Sequence, residues 1–275
     1  MTKYPPSDYT YLSYSGFKKL DECPFQYYAE YILKERPEVE DERNTIVGNA
    51  LHWLLEQYIK HGDTDLDFFV RNSDVGFDKV KNEAKLLVWR HDKDETELRA
   101  KLKVWGKNLA QLMFDNNIDP AQCKSEFKAD SDILIHGQKF RMGGRIDVLL
   151  KMPNGKHVFF DLKASANKQI MVIDQIVWYA TLMGIYLKDH NEPAMGGYLL
   201  PGFGKKGEIK FFGISQQSKV DLINRIAGAL ETIKNEEWVP KPTDQKCFWC
   251  PVKHVCPAIK QTPHISGAID LGMLS

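Results

Sequence analysis

The chain has 275 residues, 43% of them apolar, with 37 lysine and arginine residues against 37 aspartate and glutamate residues. This composition predicts a globular protein with a substantial core and excludes a disordered or collagen-like chain, while the lack of an apolar run of about 18 residues excludes a bilayer-spanning helix. A formal net charge of zero removes the simplest argument for a nucleic-acid partner, which is a uniformly basic field.

Helical periodicity dominates the first part of the chain. Apolar residues recur at helical spacing from Phe17 to Leu33, and Pro24 is expected to divide this segment into a short helix and a longer one. A second helix is predicted for residues 46–59. The charged stretch 66–116 also has a helical period, which predicts an inserted helical lobe.

The pattern then changes to apolar and alternating runs that predict strands joined by turns. Strands are predicted at residues 126–136, 139–151, 156–162, 195–200 and 208–212, and further helices at 168–187 and 216–237. These elements predict an α+β fold. Three regions are expected, namely a helical region at 1–120, a core at 121–238 and a cysteine-rich segment at 239–275.

Two neighbouring strands each carry an aspartate where the apolar pattern ends or bends. Asp147 ends the run Gly-Arg-Ile-Asp, and Asp161 follows the run Val-Phe-Phe. A carboxylate in such surroundings must be paired, protonated or metal-bound. Lys163 lies two residues beyond Asp161, so both side chains leave the strand on one face. These residues fit either a divalent-metal site for phosphate chemistry or an ordinary strand salt bridge.

Three further side chains have structural explanations when each is taken alone. His52 follows Gly48 by one helical turn, and a lone histidine among apolar neighbours is usually a core residue. Gln175 and Tyr179 are four residues apart on the helix after the second aspartate, so they share one helix face. That face either reaches back to the strand ends or a bound backbone, or is simply part of an amphipathic helix.

The cysteines form the next pattern. Cys247, Cys250 and Cys256 lie close together near one end of the chain, and Cys23 lies near the other. Four thiolates at such spacings hold either tetrahedral zinc or an iron–sulfur cluster. Cys123 has no partner at ligand spacing and is most simply a small apolar residue.

The expected compartment agrees with metal-bound thiols. The segment from Met1 to Asp8 lacks the apolar region of a secretory signal, which predicts a cytoplasmic protein without membrane association. An odd number of cysteines in a reducing compartment favours metal binding or reactive thiols over disulfides.

The order of the motifs resembles one known family. Gly-x-x-x-His, Gly-Arg-Ile-Asp, Asp-Leu-Lys and Gln-x-x-x-Tyr follow one another within residues 12–257. This order is similar to that of the PD-(D/E)xK nuclease superfamily, specifically its RecB/AddB-type branch, which includes the CRISPR-associated RecB-like exonucleases. The resemblance implies a restriction-endonuclease-like core, a mixed central sheet flanked by helices, with an N-terminal helical lobe and a C-terminal cysteine-rich clasp.

The resemblance also implies the residues of the active site. The implied ligands of a Mn²⁺ or Mg²⁺ ion are His52, Asp147, Asp161 and the backbone carbonyl of Leu162. Lys163 would be the catalytic lysine. Gln175 and Tyr179 match a motif associated with shaping the site and holding the DNA strand, and Glu126 stands where some members carry an additional acid.

For the cysteines, the resemblance implies a [4Fe-4S] cluster rather than the alternative Zn²⁺ ion. The implied cluster ligands are Cys23, Cys247, Cys250 and Cys256. Three of these cysteines precede a proline, as is typical of that branch. Such a site would join the two ends of the chain and limit its unfolded ensemble, which predicts a structural role.

The resemblance implies a metal-dependent DNA exonuclease that hydrolyses phosphodiester bonds with metal-activated water, mainly at single-stranded ends. The expected partners are DNA and recombination or repair proteins in a bacterial or phage-infected cell. Two alternatives remain open from the sequence. One is a catalytically silent DNA-binding or assembly module of a recombination complex, and the other is a zinc-binding adaptor.

Overall fold

The structure is a computed structural model that describes residues 10–35, 42–89, 91, 93–165 and 171–260. The chain divides into two compact units. The first comprises residues 1–14 and 39–228, and the second comprises residues 15–38 and 229–275. The region boundaries expected near residues 120 and 238 stay a prediction.

The helices follow the predicted order. In chain order they are α1 (Tyr14–Glu22), α2 (Pro24–Tyr27), α3 (Ile46–His61), α4 (Phe68–Glu83), α5 (Asp94–Asp115), α6 (Ile173–Leu187), α7 (Gln216–Lys234), α8 (Asp244–Phe248) and α9 (Pro257–Lys260). Pro24 separates α1 from α2 as predicted, and α2 continues as a π-helical turn at Tyr28–Ile32. Helix α6 begins at Ile173 rather than at residue 168, and residues 168–170 of the predicted helix lie outside the described residues.

A mixed six-stranded sheet forms the centre of the first unit. Its strands are β1 (Thr10–Ser13), β2 (Cys123–Ile135), β3 (Gln138–Lys151), β4 (His157–Leu162), β5 (Met195–Leu200) and β6 (Glu208–Gly213). The strand order is β1-β3-β4-β5-β6, with β2 paired to β3. The β1–β3 and β4–β5 pairs are parallel and the others antiparallel. The predicted mixed α+β fold is therefore confirmed.

Strand β3 organises this sheet because both of its edges are used. Strand β2 pairs along nearly its whole length. A strand has only two edges, so β1 and β4 share the edge of β3 that β2 does not use. Strand β1 pairs with residues 140–143 and β4 pairs with residues 148–151. Four residues make β1 too short to produce a periodic signal, so the sequence did not predict it.

Helices pack on both faces of β4. Because successive side chains on a strand point to opposite faces, Phe159 and Phe160 separate. The ring of Phe159 contacts Tyr179 of α6, with centroids 6.0 Å apart, whereas Phe160 joins the apolar core that α3, α4 and α5 supply. No helix in the described part of the chain is long and apolar enough to cross a membrane.

The second unit contains an aromatic stack. Tyr27 and Tyr31, four residues apart, stack with centroids 4.9 Å apart, and Tyr28 stacks on Trp238 at 5.1 Å. Trp238 lies just after α7, so this stack ties the helical segment near residue 28 to the segment that carries the C-terminal cysteines.

Candidate active site

The predicted site residues meet where β3 and β4 separate. The antiparallel ladder between the two strands ends at the pair Val148 and Phe160. Asp147 and Asp161 are the next residue of each strand past this pair, so both aspartates stand at the fork. The side chain of Asp147 closes the gap, because its Oδ2 accepts a hydrogen bond of 2.6 Å from the backbone N–H of Leu162.

Helix α3 brings a histidine to this fork. His52 Nδ1 lies 3.5 Å from Oδ1 of Asp147 and 3.9 Å from Oε1 of Glu126. One potential ligand atom from each of the three residues lies within 4.8 Å of the other two. Gly48, one turn before His52, lies next to the segment after β4, since a Cβ at Gly48 would stand in ordinary van der Waals contact, 3.5 Å from that of Ala164.

Glu126 owes its position to an unusual backbone. It lies in β2 between the paired residues Ser125 and Phe127, yet its φ is 50°, in the left-handed region that non-glycine residues avoid. The other described non-glycine residues with positive φ lie outside the strands. Strain of this kind persists where surrounding structure holds it, often at functional sites. The sequence carries no signal for this conformation.

We expect Glu126→Gly to weaken metal binding while leaving the stability of the protein nearly unchanged. Glycine tolerates the left-handed backbone, so the free energy of unfolding should stay within about 1 kcal/mol of the wild-type value, while loss of a carboxylate should weaken Mn²⁺ binding about tenfold or more. Urea denaturation and calorimetric Mn²⁺ titration measure the two effects.

The matched control is His136→Gly. His136 has a φ of 47° in the turn between β2 and β3, so it undergoes the same backbone change away from the aspartates. Its Mn²⁺ affinity should equal that of the wild type. Equal Mn²⁺ affinities in the two variants would contradict a role for Glu126 at the metal.

Asp161 and Lys163 form a pair on the α6 side of the fork. Lys163 Nζ lies 2.8 Å from Asp161 Oδ2, and the lysine backbone N–H donates to the carbonyl of Leu199 in β5. Asp161 is only 5% exposed. The contact expected from their spacing of two residues is therefore present.

Gln175 fixes the other oxygen of Asp161. Its Nε2 donates to Asp161 Oδ1 at 2.7 Å, and its Oε1 lies 3.4 Å from the hydroxyl of Tyr198. That hydroxyl donates to the carbonyl of Val172 at 2.8 Å, just before α6. Tyr198 pairs with Asp161 across β4 and β5 but was not predicted, because its place beside the acid depends on strand register.

Tyr179 is buried behind Gln175. Its hydroxyl lies 3.5 Å from Gln175 Nε2, and its ring packs so close to β3 that a Cβ at Gly144 would meet it at 2.8 Å. Only glycine fits at position 144 without displacing the ring. This burial favours the shaping role expected for Tyr179.

Charged groups of both signs meet at the fork. The carboxylates of Glu126, Asp147 and Asp161 lie beside Arg145, His52 and Lys163, and Arg145 Nε is 2.7 Å from Glu126 Oε2. Burial by itself lowers the pKa of His52, but the carboxylates of Asp147 and Glu126 outweigh it and raise the pKa to about 10. Burial, and then the charge of Asp147, raise the pKa of Asp161, whereas Lys163 lowers it.

Two buried carboxylate oxygens at the fork are held by ion pairs. Oε2 of Glu126 lies beside Arg145 Nε and Oδ2 of Asp161 lies beside Lys163 Nζ, in each case outside normal hydrogen-bond geometry. Oε1 of Glu126 and Oδ1 of Asp147 face His52 Nδ1. Carboxylate oxygens with one imidazole suit Mg²⁺ or Mn²⁺, so the residues present fit such an ion.

The four predicted cluster cysteines lie in the second unit. Burial raises the pKa of the Cys250 thiol, and the charges of Cys23, Cys247 and Cys256 raise it further. The backbone N–H of Lys241 donates to Cys23 Sγ at 3.5 Å. Soft thiolates of this number fit iron–sulfur or zinc.

Cys123 stands apart in the first unit. It is partly buried against the core, and burial raises the pKa of its thiol to about 12. The structure thus agrees with the expectation that Cys123 is a packing residue.

The chain matches one family of known proteins. The family model of the PD-(D/E)XK nuclease superfamily matches residues 11–257. Two solved structures are similar to the chain. One is SSO0001, with 13% identity, a TM-score of 0.43 and coverage of 93% of this chain and 88% of that one. The other is named "Putative exonuclease" from Eubacterium rectale, with 14% identity, a TM-score of 0.49 and coverage of 96% and 94%.

No curated protein matches the chain at a significant level. The family match spans nearly the whole sequence, from β1 to the start of α9. It includes every residue at the strand fork. The chain therefore belongs to the PD-(D/E)XK nuclease superfamily.

Proposed function

We propose that the protein is a divalent-metal-dependent deoxyribonuclease that degrades DNA from single-stranded ends. The observation that carries this proposal is the meeting of His52, Glu126 and Asp147 beside the Asp161–Lys163 pair. An imidazole and three acids with a lysine at their edge form a composition suited to phosphodiester hydrolysis.

His52, Glu126 and Asp147 would hold the ion, and Asp161 and the carbonyl of Leu162 are the further ligands that the family resemblance implies. When bound, a divalent ion polarises a phosphate and lowers the pKa of a water molecule. Mn²⁺ should support activity at least as well as Mg²⁺, because the imidazole nitrogen is softer than oxygen. Calcium should bind without turnover.

The chain's own residues position the reactants around this site. Gln175 holds Asp161 in one orientation through the 2.7 Å hydrogen bond, and Asp161 in turn holds the ammonium group of Lys163. A positioned ammonium group stabilises the negative charge that develops on a phosphate during hydrolysis. Arg145 extends into solvent beside Glu126, where its guanidinium can contact the next phosphate of the strand.

The direct test is cleavage of a labelled DNA oligonucleotide. Stepwise shortening of an end-labelled strand with Mn²⁺, abolished by EDTA and restored by excess Mn²⁺, is expected. A single-stranded oligonucleotide should be degraded faster than a duplex. Failure of the pure protein to cleave any DNA with Mn²⁺ or Mg²⁺, despite binding it, would favour the silent assembly module instead.

Lys163→Ala should lower the cleavage rate while preserving Mn²⁺ affinity. Removal of one group that stabilises developing charge typically lowers kcat by about 10²- to 10³-fold, whereas Lys163 is not expected to be a metal ligand. Single-turnover cleavage and calorimetric Mn²⁺ titration separate the two quantities.

Lys128→Ala is the control for this variant, because Lys128 is an exposed lysine of β2. Its rate should match that of the wild type. A Lys163→Ala protein that cleaves at the wild-type rate would remove the lysine from the proposed mechanism.

We also propose that Cys23, Cys247, Cys250 and Cys256 hold a [4Fe-4S] cluster. The number and spacing of the cysteines support this assignment, as does the backbone N–H that reaches Cys23 Sγ, since hydrogen bonds to sulfur tune such clusters. A brown protein with broad absorption near about 400 nm is expected. A colourless protein with stoichiometric zinc would favour the adaptor alternative.

A further inference from the structure

Two exposed aromatic rings stand beside the cysteines of the second unit. Trp249 is 80% exposed and Phe248 is 66% exposed. The other five tryptophans of the chain are buried or partly buried, so Trp249 is an exception to the way this sequence uses its aromatic residues. Large aromatic rings bury most of their surface in folded proteins, and an adjacent exposed pair indicates a binding surface.

The fold holds the two rings in a defined arrangement. Phe248 is the last residue of α8, which begins after Thr243, whose hydroxyl accepts from the backbone N–H of Lys246 at 3.4 Å. The rings of Phe248 and Trp249 contact each other edge to face, with centroids 4.7 Å apart and an angle of 82°. Both rings lie between Cys247 and Cys250, so the cysteine site would fix the short segment that presents them.

Basic side chains accompany these rings in the sequence. Residues 241–259 contain three lysines, at positions 241, 246 and 253, and one acid, Asp244. Lys246 pairs with Glu22 at 3.4 Å, and the ammonium group of Lys241 donates to the carbonyl of Asp21. Lys253 is exposed. This local excess of positive charge occurs in a chain whose formal net charge is zero.

Exposed aromatic rings beside lysines form a surface that unpaired nucleotides recognise. Bases stack on aromatic rings and phosphates pair with lysines, and this combination grips single strands without reading sequence. A duplex offers phosphates but no free base faces. An acidic peptide would use the lysines without needing two rings.

We infer that Phe248, Trp249 and Lys253 form a stacking surface for unpaired nucleic acid, outside the strand fork. This inference rests on the proposed function only for the choice of nucleic acid as the ligand. It assigns the second unit a part in holding the strand, in addition to the structural role expected for its cysteines.

The test is equilibrium binding of a fluorescein-labelled oligothymidylate to the full chain in calcium buffer, with the oligonucleotide checked for integrity afterwards. Trp249→Ala and Phe248→Ala should each weaken binding about tenfold. Trp249→Phe keeps a ring and should bind within about threefold of the wild type. Lys253→Ala should reduce the slope of log Kd against the logarithm of the salt concentration by about one.

Phe114→Ala is the matched control, since Phe114 is 64% exposed but lies beside Asp115 in α5 of the first unit. Its affinity should be unchanged. Equal iron content and melting temperature for Trp249→Ala and the wild type would show that the segment remains folded. If either quantity differs, the affinity of Trp249→Phe is compared with that of the wild type instead.

Wild-type affinity in Trp249→Ala, or equal weakening in Trp249→Phe and Trp249→Ala, would overturn the inference. Either result together with Mn²⁺-dependent cleavage would leave the proposed nuclease intact. Failure of the wild type to bind or cleave any nucleic acid would instead overturn the proposed function and the inference with it.

Discussion

Replacement of Asp147 by asparagine is expected to abolish metal-dependent cleavage. Asparagine keeps an oxygen that can accept the N–H of Leu162, a bond of 2.6 Å in the wild type, so the strand fork should persist. It removes the charge that faces His52 Nδ1 at 3.5 Å. Because a metal ion contributes several kcal/mol of charge stabilisation and each 1.4 kcal/mol is tenfold in rate, the rate with Mn²⁺ should fall by at least about a thousandfold.

The same variant has a readout that requires no activity. The carboxylate of Asp147 helps to raise the pKa of His52 to about 10, so its neutralisation should lower that pKa in the metal-free protein. An NMR titration of the His52 ring would detect the change. At a pH between the pKa of His52 in the variant and its higher pKa in the wild type, the imidazole would be protonated in the wild type and more often neutral in the variant.

Asp130→Asn is the control for this experiment. Asp130 is an exposed aspartate of β2 that pairs with Arg141, away from the fork. Neither the cleavage rate nor the His52 titration should change in it. Wild-type cleavage by the Asp147→Asn protein would show that Asp147 does not serve the reaction.

The second large effect is expected from Cys256→Ser. Cys256 is the buried member of the four cysteines, so it cannot be replaced by water or a nearby side chain. Loss of one ligand should remove the absorption near about 400 nm. Because metal binding in such sites is coupled to folding, the second unit should become sensitive to limited proteolysis.

Cys123→Ser is the matched control, since Cys123 is the one cysteine outside the proposed cluster set. It should keep full iron content. Its serine hydroxyl replaces a partly buried thiol, so a loss of stability of about 1 kcal/mol is expected. Equal iron content in the Cys256→Ser protein would contradict the assignment of the cluster ligands.

Much of the fold could be predicted because its signals are local. Strand β4 carries an apolar run, and α3, α4 and α5 show helical periods within their own sequences. The pair of Asp161 and Lys163 followed from the alternation of side chains along a strand. The bounds of β5 agreed with the prediction to the residue.

Features that depend on distant pairing were not predictable in the same way. Tyr198 stands beside Asp161 only because β5 pairs with β4 in one register. Glu126 reaches the histidine because its backbone is in the left-handed region. A glutamate at that position does not predict this conformation. The short strand β1 exists because β3 leaves an edge for it.

In the candidate site, too, some features could be predicted from the sequence and others could not. The family resemblance implied His52, Asp147, Asp161 and the carbonyl of Leu162 as the ligand group, with Glu126 as an additional acid. In the structure the group with ligand atoms within 4.8 Å of one another is instead His52, Glu126 and Asp147, and Asp161 is occupied by Lys163 and Gln175. The distinction arises from side-chain orientation at the fork, which spacing along the chain does not determine.

A crystal of the protein grown with Mn²⁺, with anomalous data collected at the manganese edge, tests most directly whether His52 and Asp147 hold the catalytic metal ion. We expect one strong peak within about 2.3 Å of His52 Nδ1 and a carboxylate oxygen of Asp147. Manganese bound only elsewhere, in a protein that cleaves DNA with Mn²⁺ in solution, would contradict it.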